Sequence, residues 1–437
     1  MARALRGSAW IMLGYCSGQG FRLISNLILT RLLFPEAFGL MALIMVFIVG
    51  LTMFSDVGIG PSISQSKRGD DPDFLNTAWT IQVIRGLLLW LTACALAWPV
   101  ASFYQEASLF YLLPLAGVAL VISGFDPTRI ETANRHLLVG RVTALDLLSQ
   151  IIGIVAMVVL ALLMQSVMAL ILGNLIGVLA RLLLCDAYLP GTRNSFRWEK
   201  PAATELLHFG KWIFASTVCG FFSSQGDRAI LGKFLTLAAL GIYNIGFFLA
   251  SFPIQLGYAV TGRVLIPIYR DKPAAASRDN FLKLRKMRFA LSGAILLLVF
   301  LMAHIGPPLV NLLYDERYSA AGAIVVAIAL VQIAQVLGMS YDQAALAAGD
   351  SKGFFYLALT RAILQLAGLL IGATSAGLAG ALLGLGLATV AIHPAIIALA
   401  RRHKVWDPLH DLVFAVLGIG VGGWAAYRHW DMLVAIS

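Results

Sequence analysis

Apolar residues run along this chain in stretches of roughly 18–25, each long enough to cross ~30 Å of hydrocarbon, with short polar breaks between them. Thirteen such stretches can be drawn, at 9–31, 37–60, 74–100, 107–125, 142–164, 166–188, 208–233, 237–266, 286–305, 318–348, 355–373, 376–399 and 411–428. All read as helices, because a chain in lipid must satisfy its own backbone hydrogen bonds. The pattern predicts an all-α polytopic membrane protein with 12–14 transmembrane helices. Stretches longer than ~20 residues must tilt, bend or project from the bilayer.

Composition narrows the class. Of 437 residues, 59% are hydrophobic and 12% charged, about half the share usual in soluble proteins. That excludes a soluble enzyme, a disordered chain and a nucleic-acid-binding domain. The net charge of +10 belongs to loops. With a cytoplasmic N-terminus, 21 Lys and Arg fall in inward loops and four (Arg31, Lys233, Arg317, Arg428) in outward ones. The bias changes side at every span, as the positive-inside rule requires. Arg3 and Arg6 precede an apolar run, but Gln19, Arg22 and Asn26 follow without a small-residue cleavage site, so this reads as a retained first helix. Cys16, Cys94, Cys185 and Cys219 lie in apolar stretches as packing residues.

No catalytic chemistry is visible. There is no GxxxxGK[ST], and the seven histidines show no metal-ligand spacing. Asp70, Asp71 and Asp73 share a basic inward loop. Outward loops are short, the longest near 306–317, which speaks against a membrane-embedded polymerase or transferase. The expectation is a protein that is not an enzyme, with no metal and no cofactor beyond a coupling proton or sodium ion.

The halves resemble one another. Gln19-Gly20-Phe21-Arg22 in span 1 lines up with Gln225-Gly226-Asp227-Arg228 in span 7, and Gly39 and Gly241 open the spans that follow. Six spans per half is an even number, so the repeat is parallel, with its axis along the membrane normal. The boundaries expected are an N-terminal lobe at 1–189, a cytoplasmic linker at 190–207, a C-terminal lobe at 208–400 and an extra span within 401–437. Small-xxx-small pairs (Gly14/Gly18, Gly368/Gly372, Gly380/Gly384, Gly418/Gly422) mark close helix packing.

Seven basic residues lie inside spans: Arg22, Arg85, Arg181, Lys211, Arg228, Arg263 and Arg361. A central Arg or Lys costs ~2.5–3.5 kcal/mol on insertion scales, so each needs a reason. Arg181, Lys211 and Arg263 are near span ends and within reach of the interface. Arg22, Arg85 and Arg361 are deeper. Asp56, Asp146, Asp186, Asp227 and Asp342 are the candidate counter-charges. Polar residues recur at helical spacing as Tyr15, Gln19, Arg22 and Asn26; as Ser216, Gly220, Ser223 and Asp227; as Gln332, Gln335, Met339 and Asp342; and as Arg361 with Gln365. Interhelical hydrogen bonding accounts for one or two such stripes. Stripes at matching places in both halves favour a water-filled, net-positive cavity that attracts an anion.

Leu29-Thr30-Arg31-Leu32-Leu33-Phe34-Pro35-Glu36-Ala37-Phe38-Gly39-Leu40, then Phe54-Ser55-Asp56-Val57-Gly58-Ile59-Gly60 and Gln65, resemble the opening of the Wzx-type polysaccharide exporters. Phe209-Gly210, Asp227-Arg228, Leu231-Gly232 and Gly241-Ile242-Tyr243-Asn244 are similar to that family's second half. The likeness covers about residues 8–400 and is greatest to the branch of colanic-acid and teichuronic-acid exporters. That branch belongs to a superfamily shared with multidrug extruders and the lipid II flippase.

The resemblance implies a V-shaped fold of two six-helix lobes around a central cavity. It implies a flippase of the bacterial cytoplasmic (inner) membrane that moves an undecaprenyl-diphosphate-linked oligosaccharide to the outer leaflet by alternating access. Membrane lipid, a polysaccharide polymerase and chain-length or export proteins are the partners it implies, with no nucleic acid. Arg22, Arg85, Arg228 and Arg361, with Lys211 and Arg263, are then candidate anion contacts. Asp227 and Asp342 are coupling or counter-charge residues, and Gln19, Asn26, Ser223, Gln332, Gln335 and Gln365 line the cavity. Many members have fourteen spans and this chain shows thirteen. The competing reading, a cation-coupled drug or metabolite antiporter, calls for interior carboxylates where this chain has mostly arginine.

Overall fold

The computed structural model describes the backbone of every residue except Met1, Val57, Leu137, Lys272 and Ser437. Side chains are described outside these and outside 2–12, 15, 207–216, 263–264, 266–267 and 346. Every regular element among the described residues is helical. By length and composition eight helices can cross a membrane, or ten if two bent pairs each count as one span. The chain divides into two compact units, Met1–Phe221 and Phe222–Ser437.

The first unit contains α1 (Ala2–Leu32), α2 (Pro35–Phe54), α3 (Ile59–Gln65), α4 (Pro72–Tyr104), α5 (Leu109–Gly124), α6 (Arg129–Arg135), α7 (Val139–Met164), α8 (Val167–Tyr188) and the start of α9 (Lys200–Phe234). The second predicted span is broken. Helix α2 stops at Ser55, the Asp56 carboxylate accepts the Gly58 N–H at 2.8 Å, and Gly58 turns left-handed (φ 62°) before α3 begins. Only glycine enters that conformation without strain. The segment after α8 lies along α4: the N–H groups of Ser195, Arg197 and Glu199 donate to the side chains of Asn76, Thr80 and Thr77 at 3.0, 3.0 and 3.1 Å. Alternate residues of an extended strand thus find acceptors on one helix face.

The second unit holds the rest of α9, then α10 (Leu237–Ala250), α11 (Phe252–Val260), a π-helical turn (Thr261–Leu265), α12 (Ile266–Asp271), α13 (Arg278–Leu313), α14 (Ala321–Gly338), α15 (Asp342–Ala347), α16 (Ser351–Ala391), α17 (His393–Arg402), α18 (Pro408–Arg428) and α19 (Trp430–Val434). Its order follows the first unit. The span after the opening helix is again broken, by 45° between α10 and α11 at Pro253, and a short helix again follows the fourth span, as α15 after α14 and α6 after α5.

Helix α16 is two spans. Ala376 and Gly377 leave helical geometry, and the chain reverses there. A Cβ built on Gly384 would lie 1.9 Å from the Gly368 carbonyl oxygen, and one on Gly372 2.0 Å from that of Gly380. These pairs close symmetrically on 376, the mark of an antiparallel hairpin whose backbones touch. The predicted spans 355–373 and 376–399, and the close packing read from their small-residue pairs, appear here directly. The α7–α8 hairpin is built alike, with Gly153 against Gly177.

Two sequence assignments change. Helix α13 continues through Pro307 and Pro308 to Leu313, so the outward loop expected at 306–317 is mostly helix. Arg288, counted with the inward basic residues at the start of the span 286–305, is completely buried. Its Nε and a terminal nitrogen donate to the Tyr269 hydroxyl at 3.2 and 2.6 Å, its other terminal nitrogen donates to the Val405 carbonyl, and its guanidinium lies 4.6 Å from the Tyr341 ring centre. Tyr269 of α12, Tyr341 and the 403–407 turn enclose it and exclude water.

Helix α18 packs on α13 and α14, with Phe414 in the same core cluster as Val299 and Val336. Ser292 Oγ is 2.9 Å from His410 Nε2, and His410 Nδ1 is 3.1 Å from Asp411 Oδ1. The order is that of a nucleophile, base and acid, but Ser292 and His410 are wholly buried. A substrate has no route to that serine, so the chain of bonds pins α18 to α13.

Replacing Gly384 by Leu should separate the α16 arms and cost about 2 kcal/mol or more, because added volume in a tight interface forces the backbone apart. Gly423→Leu, at a position with nothing within 4 Å of a Cβ, should be neutral. Thermal unfolding in detergent, read by size-exclusion fluorescence, compares the two.

Candidate functional site

In the first unit, α1 packs on α7 through Gly14 and Gly18, where Gln150 of α7 donates to the Gly18 carbonyl at 3.1 Å. The exposed apolar residues of α1, Leu13, Ile24 and Ile28, form one stripe. At 3.6 residues per turn, Arg22 and Gln19 point roughly the other way. Arg22 is exposed and has no hydrogen bond or ion pair among the described residues. Gln19 and Asn26 are half-buried on the same side.

Arg85 of α4 is engaged. Its Nε donates to Ser55 Oγ and a terminal nitrogen to the Thr52 carbonyl, both at 2.9 Å. Thr52 lies in the last turn of α2, whose carbonyls lose their partners where the helix breaks. Arg85 supplies a donor there. Arg181 holds three elements together, donating to Asp126 and, at 2.8 Å, to Asp146. Arg129 is nearly buried and donates to Asp186 and to the Leu189 carbonyl. At the same end of the unit Asp70 accepts from Arg135 and contacts His136 at 2.8 Å, and the His136 contact holds its carboxyl below the usual carboxylate range.

The second unit contains two clusters. In the first, Tyr243 of α10 donates its hydroxyl proton to buried Asp227 at 2.7 Å. Arg228 donates to the Asn244 side chain at 2.9 Å and lies 4.5 Å from the centre of the Phe247 ring. The adjacent Asp227 and Arg228 therefore both lock α9 to α10, and Ser223 is exposed one turn away. In the second cluster, Arg361 of α16 donates to Asp342 at 2.8 Å. Helix α16 packs on both α14 and α15. The other oxygen of Asp342 and the side-chain oxygens of Gln332 and Gln365 are shut off from solvent and accept no hydrogen bond. Gln335 is half-buried nearby in sequence on α14.

Buried acceptors without donors are costly, and a proton, a cation or water can satisfy them. Among the described residues no three His, Cys, Asp or Glu cluster as a metal site. The Lys211 and Arg263 side chains lie outside the described residues. Residue patterns alone did not identify Tyr243, Asn244, Phe247, Ser55 and Thr52 as partners. Tyr243 and Asn244 stood in a quoted motif, but nothing in that motif marked them as partners of Asp227 and Arg228.

Comparison with known proteins agrees with this architecture. The family profile described as "Polysaccharide biosynthesis protein" matches residues 28–323. The chain is 21% identical over 304 residues to the teichuronic acid biosynthesis protein TuaB of Bacillus subtilis (strain 168), a match covering 69% of this chain and 62% of TuaB. It is 22% identical over 389 residues to the lipopolysaccharide biosynthesis protein WzxC of Escherichia coli (strain K12), covering 87% of this chain and 77% of WzxC. The fold resembles that of the lipid II flippase MurJ in an inward closed conformation (TM-score 0.67, 12% identity, 97% of this chain and 99% of MurJ covered). It also resembles an inward-facing MATE family multidrug resistance transporter (TM-score 0.64, 15% identity, 88% and 94% covered).

Asp342→Asn should leave Arg361 without its counter-charge and destabilise the protein by about 3 kcal/mol, the cost of breaking a largely buried pair. Adding Arg361→Gln should restore part of that loss. Unfolding of the single and double variants in detergent gives the coupling directly.

Proposed function

This chain belongs to the polysaccharide biosynthesis protein family, and we propose that it is a flippase carrying an undecaprenyl-diphosphate-linked oligosaccharide from the inner to the outer leaflet of the bacterial cytoplasmic membrane. The family match over 28–323 is the observation that carries this reading. The names of its relatives, which concern teichuronic acid and lipopolysaccharide synthesis, and the MurJ-like fold support it.

Arg22 is our candidate for the diphosphate contact. Among the seven basic residues within spans, Arg85, Arg181, Arg228 and Arg361 are bonded to protein groups, and Lys211 and Arg263 lie outside the described side chains. Arg22 is open, and it faces away from the lipid-exposed stripe of its helix. A guanidinium binds a diphosphate in bidentate fashion. Lys211 and Arg263 remain secondary candidates. Arg85, Arg228 and Arg361 act first on the protein itself, positioning the broken spans.

We further assign Asp342, with Gln332 and Gln365, as the place where a coupling proton or sodium ion binds. The unpaired acceptor oxygens support this, and binding there would compete with Arg361. The charge bias of the loops supports a cytoplasmic N-terminus. A polymerase that consumes the flipped product would be the functional partner. A drug antiporter fits the same fold, but the exposed charge within the first span is an arginine, which repels cationic drugs.

Arg22→Ala should lower surface polysaccharide about tenfold, in keeping with losing one charge-assisted contact of ~1.5–3 kcal/mol, while membrane insertion stays normal. Mass spectrometry of polyprenyl-diphosphate lipids from depleted cells should show one complete, unpolymerised repeat unit accumulating. An unchanged lipid pool would turn the assignment towards small-molecule efflux.

A further inference from the structure

At the end of the second unit away from Arg288, two histidines from separate elements meet. His304 lies near the end of α13, and His429 follows α18 directly. Their ring centres are 5.8 Å apart with the planes at 72°. His304 Nδ1 is 3.0 Å from the Phe300 carbonyl one turn earlier. A carbonyl can only accept, so Nδ1 carries the proton and Nε2 presents a bare lone pair. Nε2 of His304 and Nε2 of His429 are both shut off from solvent, and neither has a hydrogen-bond partner.

An imidazole whose Nδ1–H is fixed on a backbone carbonyl, with Nε2 unoccupied, is a metal ligand with its orienting bond already made. Among the described residues His429 has no such orienting bond, and the spacing of the two rings is the test of whether they can share one ion. With metal–nitrogen bonds of ~2.0–2.1 Å the ion sits about 3.2 Å from each ring centre, so the centres lie about 5.2 Å apart for a tetrahedral angle and about 6.4 Å apart for a linear one. The observed 5.8 Å falls between these limits.

We propose that His304 and His429 form a two-imidazole site for a borderline divalent transition metal of the Zn2+ class, tying the end of α13 to the end of α18. Imidazole nitrogen favours this class over Mg2+ or Ca2+, which take oxygen ligands. Among the described residues no third His, Cys, Asp or Glu joins the pair, so the two imidazoles are the whole protein contribution to the coordination. The expected affinity is accordingly modest, and the nearby Arg428 lowers it further.

The test is calorimetric titration of Zn2+ into the purified full-length protein in detergent after chelator treatment. The unmodified protein should bind one ion at this site, and its thermal unfolding should shift upward with Zn2+. His304→Gln/His429→Gln should weaken binding by about tenfold or more and abolish the thermal shift. His136→Gln, in the first unit, should change neither. If the double variant does not fold, Cu2+ bound to the unmodified protein provides the second readout, since its electron paramagnetic resonance spectrum counts coordinated imidazoles. Two nitrogens are expected. No saturable Zn2+ binding, undiminished binding in the folded double variant, or a copper spectrum with fewer than two imidazoles would overturn the proposal.

Discussion

A polar group placed at membrane depth must find its partner within the protein, because hydrocarbon offers none. The interior of both units follows from that requirement. The second span breaks at Ser55–Gly58, and the carbonyl of Thr52, orphaned by the break, accepts from Arg85 of α4. Ser55 Oγ donates to the same carbonyl at 3.1 Å and accepts from Arg85, so serine and arginine together close the broken end of the helix. The same exchange holds α9 to α10 through Asp227–Tyr243 and Arg228–Asn244. Irregular helices and interior charges are therefore one feature, each making the other tolerable.

This view changes the meaning of the deep arginines. A census of charge suggests a uniformly cationic interior. Bond by bond, Arg85, Arg181, Arg228 and Arg361 have their charge spread over carbonyls, carboxylates and an aromatic face. Arg22 is different because it stands on a helix whose other faces are given to α7 and to an apolar stripe. Asp342 is different in the opposite sense, since one of its oxygens is satisfied by Arg361 and the other by nothing. A transporter needs both kinds of group: many that are fixed, and a few with an unmet requirement that a ligand can meet.

Much of the architecture was legible in the amino-acid sequence because lipid imposes a long period and a simple rule. The thirteen apolar stretches coincide with helices, broken helices or one arm of a hairpin, and Gly368, Gly372, Gly380 and Gly384 mark the hairpin itself. Burial of a particular charge was not legible. Arg288 belongs to the inward basic run at the start of the span 286–305, and only its enclosure by Tyr269 of α12, Tyr341 and the 403–407 turn removes it from water. Nor could spacing reveal that Tyr243 faces Asp227, because pairing between helices depends on their rotation about their own axes. The family resemblance was reached through Leu29–Leu40, at the junction of α1 and α2, and through the Asp227-Arg228 region, which locks α9 to α10.

The measurement closest to the central claim is transport by the protein alone. Purified protein would be reconstituted into liposomes with a fluorescent undecaprenyl-diphosphate oligosaccharide in both leaflets, and an impermeant quencher or glycosidase would be added outside. The account predicts that more than half of the label becomes accessible when the protein is present and only the outer half when it is absent. Accessibility unchanged by active, correctly folded protein, together with uptake of a cationic dye by the same liposomes, would contradict it.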